Sequence, residues 1–171
     1  MKFVFNEEKN EERRRMLMMQ PTIEEGKALL ASDDTDAYAW YVYGKALSIQ
    51  KDYEAAIEAH SHGIACDPFY APNYFGRGGK MSLTGRVWSA LADYSMALHL
   101  DSSNWLYWYY RATTLNLAGY LEESIDDFRQ CMKVMDPKEH YPLVHWIYTT
   151  YVELGKYEEA QKSLELIDAT I

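Results

Sequence analysis

Residues 37–47 read AYAWYVYGKAL, residues 53–57 read YEAAI, and the stretch closes on Asp67 and Pro68. Moving the frame by 34 residues brings the same marks back. Trp40 becomes Tyr74 and then Trp108; Gly44 becomes Gly78 and Ala112; Ala56 becomes Ala90 and Ser124; Asp67 and Pro68 become Asp101 and Ser102. With two residues inserted near Pro137, a fourth copy starts at Tyr141 and carries Tyr151, Gly155, Tyr157 and Ala160. A fixed period in the thirties marks a stacked array of repeats, each too small to bury its apolar face alone.

Each copy reads as helix, tight turn, helix. First helices are expected at about 37–49, 72–83, 106–117 and 142–154, with Gly85, Gly119 and Gly155 ending three of them in a left-handed backbone. Second helices open on Tyr53-Glu54, Trp88, Leu121-Glu122-Glu123 and Tyr157-Glu158-Glu159, so that acids sit in the first turn, where the helix dipole favours them. Small residues at Gly44, Gly78 and Ala112 and at Ala56, Ala90, Ser124 and Ala160 let paired helices approach, while Trp40, Tyr74 and Trp108 fill the space between. Upstream, residues 6–20 (NEEKNEERRRMLMMQ) read as a charged helix with an apolar tip from Met16 to Met19, stopped by Pro21. Thr22 with Glu25 forms a capping box for a helix over 22–31, a half-repeat that covers the open side of the first full copy.

The chain has 171 residues, 48% of them apolar and 25% charged, which suits one globular domain. A net charge of -9 disfavours a nucleic-acid partner, which needs clustered Lys and Arg. The two cysteines, Cys66 and Cys131, fall in different copies, as in a reducing cytosol without disulfides. Phe3-Val4-Phe5 is too short for a signal peptide, and no apolar run reaches the length of a membrane span. The expected location is cytoplasmic, with no membrane partner.

These marks resemble the tetratricopeptide repeat family, from about Thr22 to the end of the chain. The first copy follows the family pattern nearly throughout, with His60 and Gly63 in place of an aromatic and Ala. The fourth departs most, with Val144 and Tyr148 in place of an aromatic and a small residue. The resemblance implies an all-α fold, a right-handed α-solenoid of tandem helix-turn-helix repeats. Its parts are an N-terminal helix outside the repeats (1–20), a half-repeat (21–36), and repeats at 37–70, 71–104, 105–140 and 141–171, with 21–171 one continuous domain.

Arg77 and Arg111 stand where a core Leu is usual, and Asp93 and Asp127 stand at the matching place in the second helices of the same two copies. Copies one and four carry Tyr43 with Ala59 and Ile147 with Ser163, neither charge. Charges that come together or not at all point to structural ion pairs within a layer.

The resemblance also implies function: a non-catalytic protein–protein interaction scaffold whose first helices line a concave face for a partner's peptide segment. Carried over position by position, that face takes Tyr38, Tyr41, Lys45, Phe75, Gly79, Tyr109, Asn116 and His145, with Tyr110 and Trp146 at its edge. Aromatic rings offer wide contact area with few rotors to freeze, and gaps are expected at Gly76 and Gly79. Some family members hold a chaperone's C-terminal carboxylate with a Lys and Asn clamp. Here its positions hold Tyr41, Lys45, Gly76, Leu106 and Tyr110, so chaperone C-terminal tails are not expected partners. The competing expectation is self-association as a homodimer, through Leu164, Ile167 and Ile171 or through the groove; the Met16 to Met19 tip is a further occupant of that groove. His60, His62 and Cys66 resemble a metal cluster, yet on a helix only His62 and Cys66 share a face, too few for zinc. No cofactor, metal or catalytic residue is expected.

Overall fold

The computed structural model describes residues 7–168, apart from the side chains of residues 7, 9, 10, 12, 167 and 168. All regular elements among the described residues are helical: α1 (Glu7–Met18), α2 (Ile23–Ser32), α3 (Ala37–Ile49), α4 (Tyr53–Cys66), α5 (Ala71–Leu83), α6 (Val87–Leu100), α7 (Trp105–Leu117), α8 (Leu121–Val134), a 3-10 turn (Pro137–Glu139), α9 (Tyr141–Glu153), α10 (Tyr157–Ser163) and α11 (Glu165–Asp168). The chain divides into two compact units, Arg15–Ser102 and the described residues of Met1–Arg14 with those of Ser103–Ile171. No helix among the described residues is long and apolar enough to cross a membrane.

In the Arg15–Ser102 unit, α2 opens on the capping box. Glu25 N donates to Thr22 Oγ1 at 3.2 Å and Thr22 N donates to Glu25 Oε2 at 2.7 Å. Gly26 sits against α3 so closely that a Cβ there would lie 2.7 Å from Tyr43 Cα, which is how the half-repeat seals the first hairpin. Hairpins α3–α4 and α5–α6 close at small residues: Ala56 and Ala90 are fully buried, and a Cβ at Gly78 would press on Ala90 O at 3.2 Å.

In the other unit, Ala112, Ile125, Phe128, Cys131, Leu143, Ile147 and Ala160 form one continuous core shared by α7, α8, α9 and α10. The inserted residues before α9 form the 3-10 turn, whose Glu139 accepts a hydrogen bond from Arg14 Nη2 at 2.8 Å. Arg13 donates to Ser103 O at 2.7 Å and to Ser103 Oγ at 2.8 Å. Arg13 and Arg14 of the charged first helix thus supply tertiary hydrogen bonds. The last second helix is interrupted at Leu164, between α10 and α11. Ile171 and the side chain of Ile167, named above for self-association, lie outside the described residues.

The two charge pairs are bidentate. Arg77 Nε and Nη2 donate to the two carboxylate oxygens of Asp93 at 2.8 Å each, and Arg111 does the same to Asp127 at 2.7 Å each. Both aspartate side chains are only 8% exposed. Each guanidinium also lies over a ring one turn earlier, Tyr74 at 5.9 Å and Trp108 at 5.2 Å. Burial raises the Asp127 carboxyl above its ordinary value against the opposing pull of Arg111. Because desolvation opposes the attraction within a buried pair, such a pair fixes which residues meet more than it adds net stability.

The turns carry one irregularity. Gly85, Gly119 and Gly155 take φ of 78°, 85° and 71°, and in the first hairpin Lys51 takes φ of 63° at the equivalent bend. A side chain in that region costs roughly 1 kcal/mol. Lys51→Gly is therefore expected to raise stability by about 0.5–1 kcal/mol, read by chemical denaturation. For the ion pairs, Arg111→Met should destabilise by about 3 kcal/mol because it strands a buried carboxylate. Arg111→Met with Asp127→Leu should recover all but about 1 kcal/mol of that loss.

Candidate functional site

On α3, residues 38, 41 and 45 follow helical spacing and share a face, and the rings of Tyr38 and Tyr41 lie 6.5 Å apart. Their fates differ. Tyr38 is 41% exposed, whereas Tyr41 is 6% exposed. The Tyr41 ring leans on His60 of α4 at 6.0 Å and meets Tyr70 edge-on at 6.2 Å. Burial, helped by the neighbouring Tyr38, pushes its hydroxyl up to about 12. Expected at the groove surface, Tyr41 is a packing residue because Tyr70, in the α4–α5 connection, closes over it.

His60 occupies the aromatic place of α4 and is 1% exposed. Its imidazole is wedged between two glycines: a Cβ at Gly44 would sit 2.8 Å from the ring, and one at Gly76 would overlap it. The gap expected at Gly76 is therefore filled from within. Asn73 Nδ2 donates to Ala37 O at 2.9 Å, which turns the amide oxygen toward His60. His60 Nδ1 then donates to Asn73 Oδ1 at 3.0 Å, fixing the tautomer. Gly63 completes the arrangement, since any Cβ there would overlap Asn73. Burial drives His60 down to about 4 against the raising effect of the Asn73 hydrogen bond, with Lys80 and Arg77 adding to the fall. At Gly79, by contrast, a Cβ would come no nearer to a neighbour than 3.7 Å, from Tyr94 Oη, so space remains there. Phe75 is half-buried, its ring 6.1 Å from that of Tyr94.

Lys45 is half-buried, and its ammonium donates to Met16 O at 2.6 Å and Leu17 O at 2.7 Å. Burial, and to a lesser degree Lys80, brings it down to about 8. The site residue at this position therefore has an intramolecular partner, the last turn of α1.

In the second unit, Tyr109 and Tyr110 form an edge-on pair at 5.5 Å, and Tyr109 also meets the core ring of Phe128 at 6.3 Å. Tyr110 is 36% exposed, and His145 of α9 is exposed. Trp146 stacks on Phe128 at 5.7 Å and belongs to the packing of that core. Asn116 is half-buried; its Nδ2 donates to Thr150 Oγ1 at 2.7 Å and Ser124 Oγ at 3.3 Å, linking α7 to α9 and α8. Its amide is thus committed to the repeat interior. Three of the ten residues, Tyr38, Tyr110 and His145, are exposed to solvent.

The His60, His62 and Cys66 set is dispersed. His62 stacks on Trp40 at 4.6 Å, and Cys66 Sγ donates to Asp34 O at 3.6 Å. Among the described residues, no three His, Cys, Asp or Glu side chains converge as a metal site. Sequence reasoning missed Asn73 as the partner of His60, although the pairing of Gly63 with Gly76 around them was its visible trace. The Met16 to Met19 tip, named above as an occupant of the groove, meets Lys45 through the main-chain carbonyls of Met16 and Leu17, and Pro21, four residues after Leu17, was the signal for that contact.

The family model of the tetratricopeptide repeat matches residues 37–64. Protein bimA of Emericella nidulans is 24% identical over 106 residues, or 62% of this chain. The chain spans 13% of the length of that curated relative. Among solved structures, MamA superposes with a TM-score of 0.77 at 17% identity, covering 86% of this chain and 85% of MamA. The first TPR of Spaghetti (RPAP3), bound to the HSP90 peptide SRMEEVD, superposes with a TM-score of 0.67 at 18% identity, covering 72% of this chain and 96% of that one. At such identities the structural likeness concerns the fold.

The His60 network makes stability depend on pH with a definite sign. A folded-state value near 4, below the ordinary 6.5, means the unfolded chain takes the proton first. The contribution of neutral His60 is complete above pH 6.5 and is lost as pH falls toward 4. Between pH 7 and 4.5 the loss from this group should be about 2–3 kcal/mol. His60→Gln should start less stable and lose that much less across the same interval, as measured by denaturant titration at both pH values.

Proposed function

We propose that this chain, whose fold is that of tandem tetratricopeptide-repeat structures, is a non-catalytic protein–protein interaction scaffold that binds peptide segments of a partner at its first helices. What carries the reading is the exposure of ring-bearing residues at ligand-facing positions in each unit, Tyr38 on α3, and Tyr110 with His145 on α7 and α9. Half-buried Phe75 and Tyr109 lie at the neighbouring positions, and Gly79 leaves room for a partner side chain. The family resemblance implies that within each unit these positions belong to the ligand-facing wall. Burying one ring on binding stabilises a complex by roughly 1.5–3 kcal/mol, so two or three anchors give affinities on the order of micromolar after association costs.

The ligand chemistry is aromatic and apolar rather than an acidic tail. A peptide like the one held by the RPAP3 repeat needs cations at the clamp positions. Here Tyr41 is buried and Lys45 already donates to two main-chain carbonyls.

The test is a random peptide library selected on the full chain. Recovered peptides should be rich in aromatic and aliphatic residues without a required C-terminal carboxylate. Tyr38→Ala should weaken the peptides that bind the Arg15–Ser102 unit, and Tyr110→Ala with His145→Ala those that bind the other unit, each at least tenfold with an unchanged helical spectrum. Tyr41→Ala is unsuitable as a probe of binding, because truncating its buried ring should cost about 3 kcal/mol of stability. Retention of every selected peptide at equal affinity by both the Tyr38 variant and the Tyr110/His145 double variant would remove these faces from consideration.

A further inference from the structure

The last turn of α1 poses an accounting problem in main-chain hydrogen bonds. The final four carbonyls of a helix have no partner within it. Here Met19 N donates to Arg15 O at 2.9 Å. The next donor in that ladder for Leu17 O would be the N–H of residue 21, and residue 21 is proline, which has none. Lys45, from another helix, supplies donors to both Met16 O and Leu17 O at 2.6 and 2.7 Å. A lysine at a helix C-terminus also meets the negative end of its dipole. By its place in the repeat, however, Lys45 is one of the first-helix positions that the family resemblance gives to ligand contact.

A second observation lies beside it. The chain leaving α1 helps line an open pocket of about 530 Å³, where Met19, Gln20 and Pro21 join Leu29 of α2 and Tyr38 and Val42 of α3. Tyr38 is the exposed ring proposed above as a contact. The tail of α1 therefore flanks one proposed contact residue and occupies the next.

We propose that the last turn of α1 is a built-in occupant of the peptide-binding face of the Arg15–Ser102 unit, held by Lys45 and displaced when a partner segment binds. The seat recognises exposed main-chain carbonyls at the C-terminal end of a helix, so the displacing segment carries the same chemistry, a helical end with unsatisfied carbonyls flanked by apolar side chains. Such a gate presupposes the peptide-binding reading of the first helices. It adds that the unliganded protein binds below its intrinsic affinity, by the fraction of molecules in which α1 is seated.

The experiment uses the full chain and the peptides selected on it. Leu17→Pro removes an N–H and clashes with the carbonyl of Arg13, which breaks the last turn of α1 while leaving α3 unaltered. The variant should bind those peptides at least tenfold more tightly than the wild-type chain, and adding Lys45→Met to Leu17→Pro should abolish the gain. A synthetic peptide of residues 7–18, ending in Met18, should bind the Leu17→Pro chain and compete with the selected peptides, yet bind the wild-type chain at least tenfold more weakly. If Leu17→Pro lowers the helical content beyond that turn, Leu17→Gly loosens the same turn more gently and carries the comparison. Equal affinity of selected peptides for wild type and variant would overturn the seating of α1 as a gate and leave peptide binding intact. Failure of any peptide to bind either chain would overturn both.

Discussion

The close approach of paired helices at one small position per hairpin governs everything else in this chain. Ala56, Ala90 and Ser124 show no exposure and Ala160 is 2% exposed, so the helix axes meet where no larger side chain fits. Once that distance is set, bulk must go elsewhere, and the rings of Trp40, Tyr74 and Trp108 fill the flanks. Gly78 against Ala90 O and Gly26 against Tyr43 Cα show the same constraint applied to the backbone itself. A repeat array tolerates variation in what fills the flanks far better than variation at these contacts, since each layer repeats one spacing.

Polar groups inside this framework act as locators. The Arg–Asp pairs sit only in the two layers that carry both charges, each a two-pronged contact that a shifted register would break at a high desolvation cost. The His60 and Asn73 pair does the same between the first two hairpins, with Asn73 reaching on to Ala37 O. Asn116 joins α7 to α8 and α9 through Ser124 and Thr150. Apolar packing supplies the driving force in every layer alike; these directional contacts make each layer different from its neighbours.

Much of this was legible in the chain because it repeats. A 34-residue comparison exposes the hairpin ends, the small contacts and the paired charges, since each copy serves as a control for the others. Lys51 shows where such comparison fails: the bend needs a left-handed residue, and nothing about a lysine announces one. The candidate surface was less legible. Periodicity assigns a residue to a helix face, but whether that face is open depends on segments outside the period. Tyr70 covers Tyr41 from a connection, the α1 tail reaches Lys45 from upstream of the repeats, and Thr150 claims Asn116 from the next layer. Local spacing contains none of these partners.

A binding surface made from first-helix residues therefore competes with the fold for the same side chains. Rings large enough to anchor a partner are large enough to fill a gap between layers, and wherever a gap exists the intramolecular use wins because it incurs no association entropy. Trp146 on Phe128 and Tyr41 under Tyr70 are examples of that outcome. What stays exposed is what geometry forbids the core to use: Tyr38 near the start of α3, Tyr110 set edge-on to Tyr109, and His145 on the open side of α9. Lys45 occupies the middle ground, buried enough to need partners and positioned to take them from main chain. On the proposed reading, few open anchors and a lysine already held by main-chain carbonyls favour ligands that trade places with those carbonyls over ligands that offer charge alone.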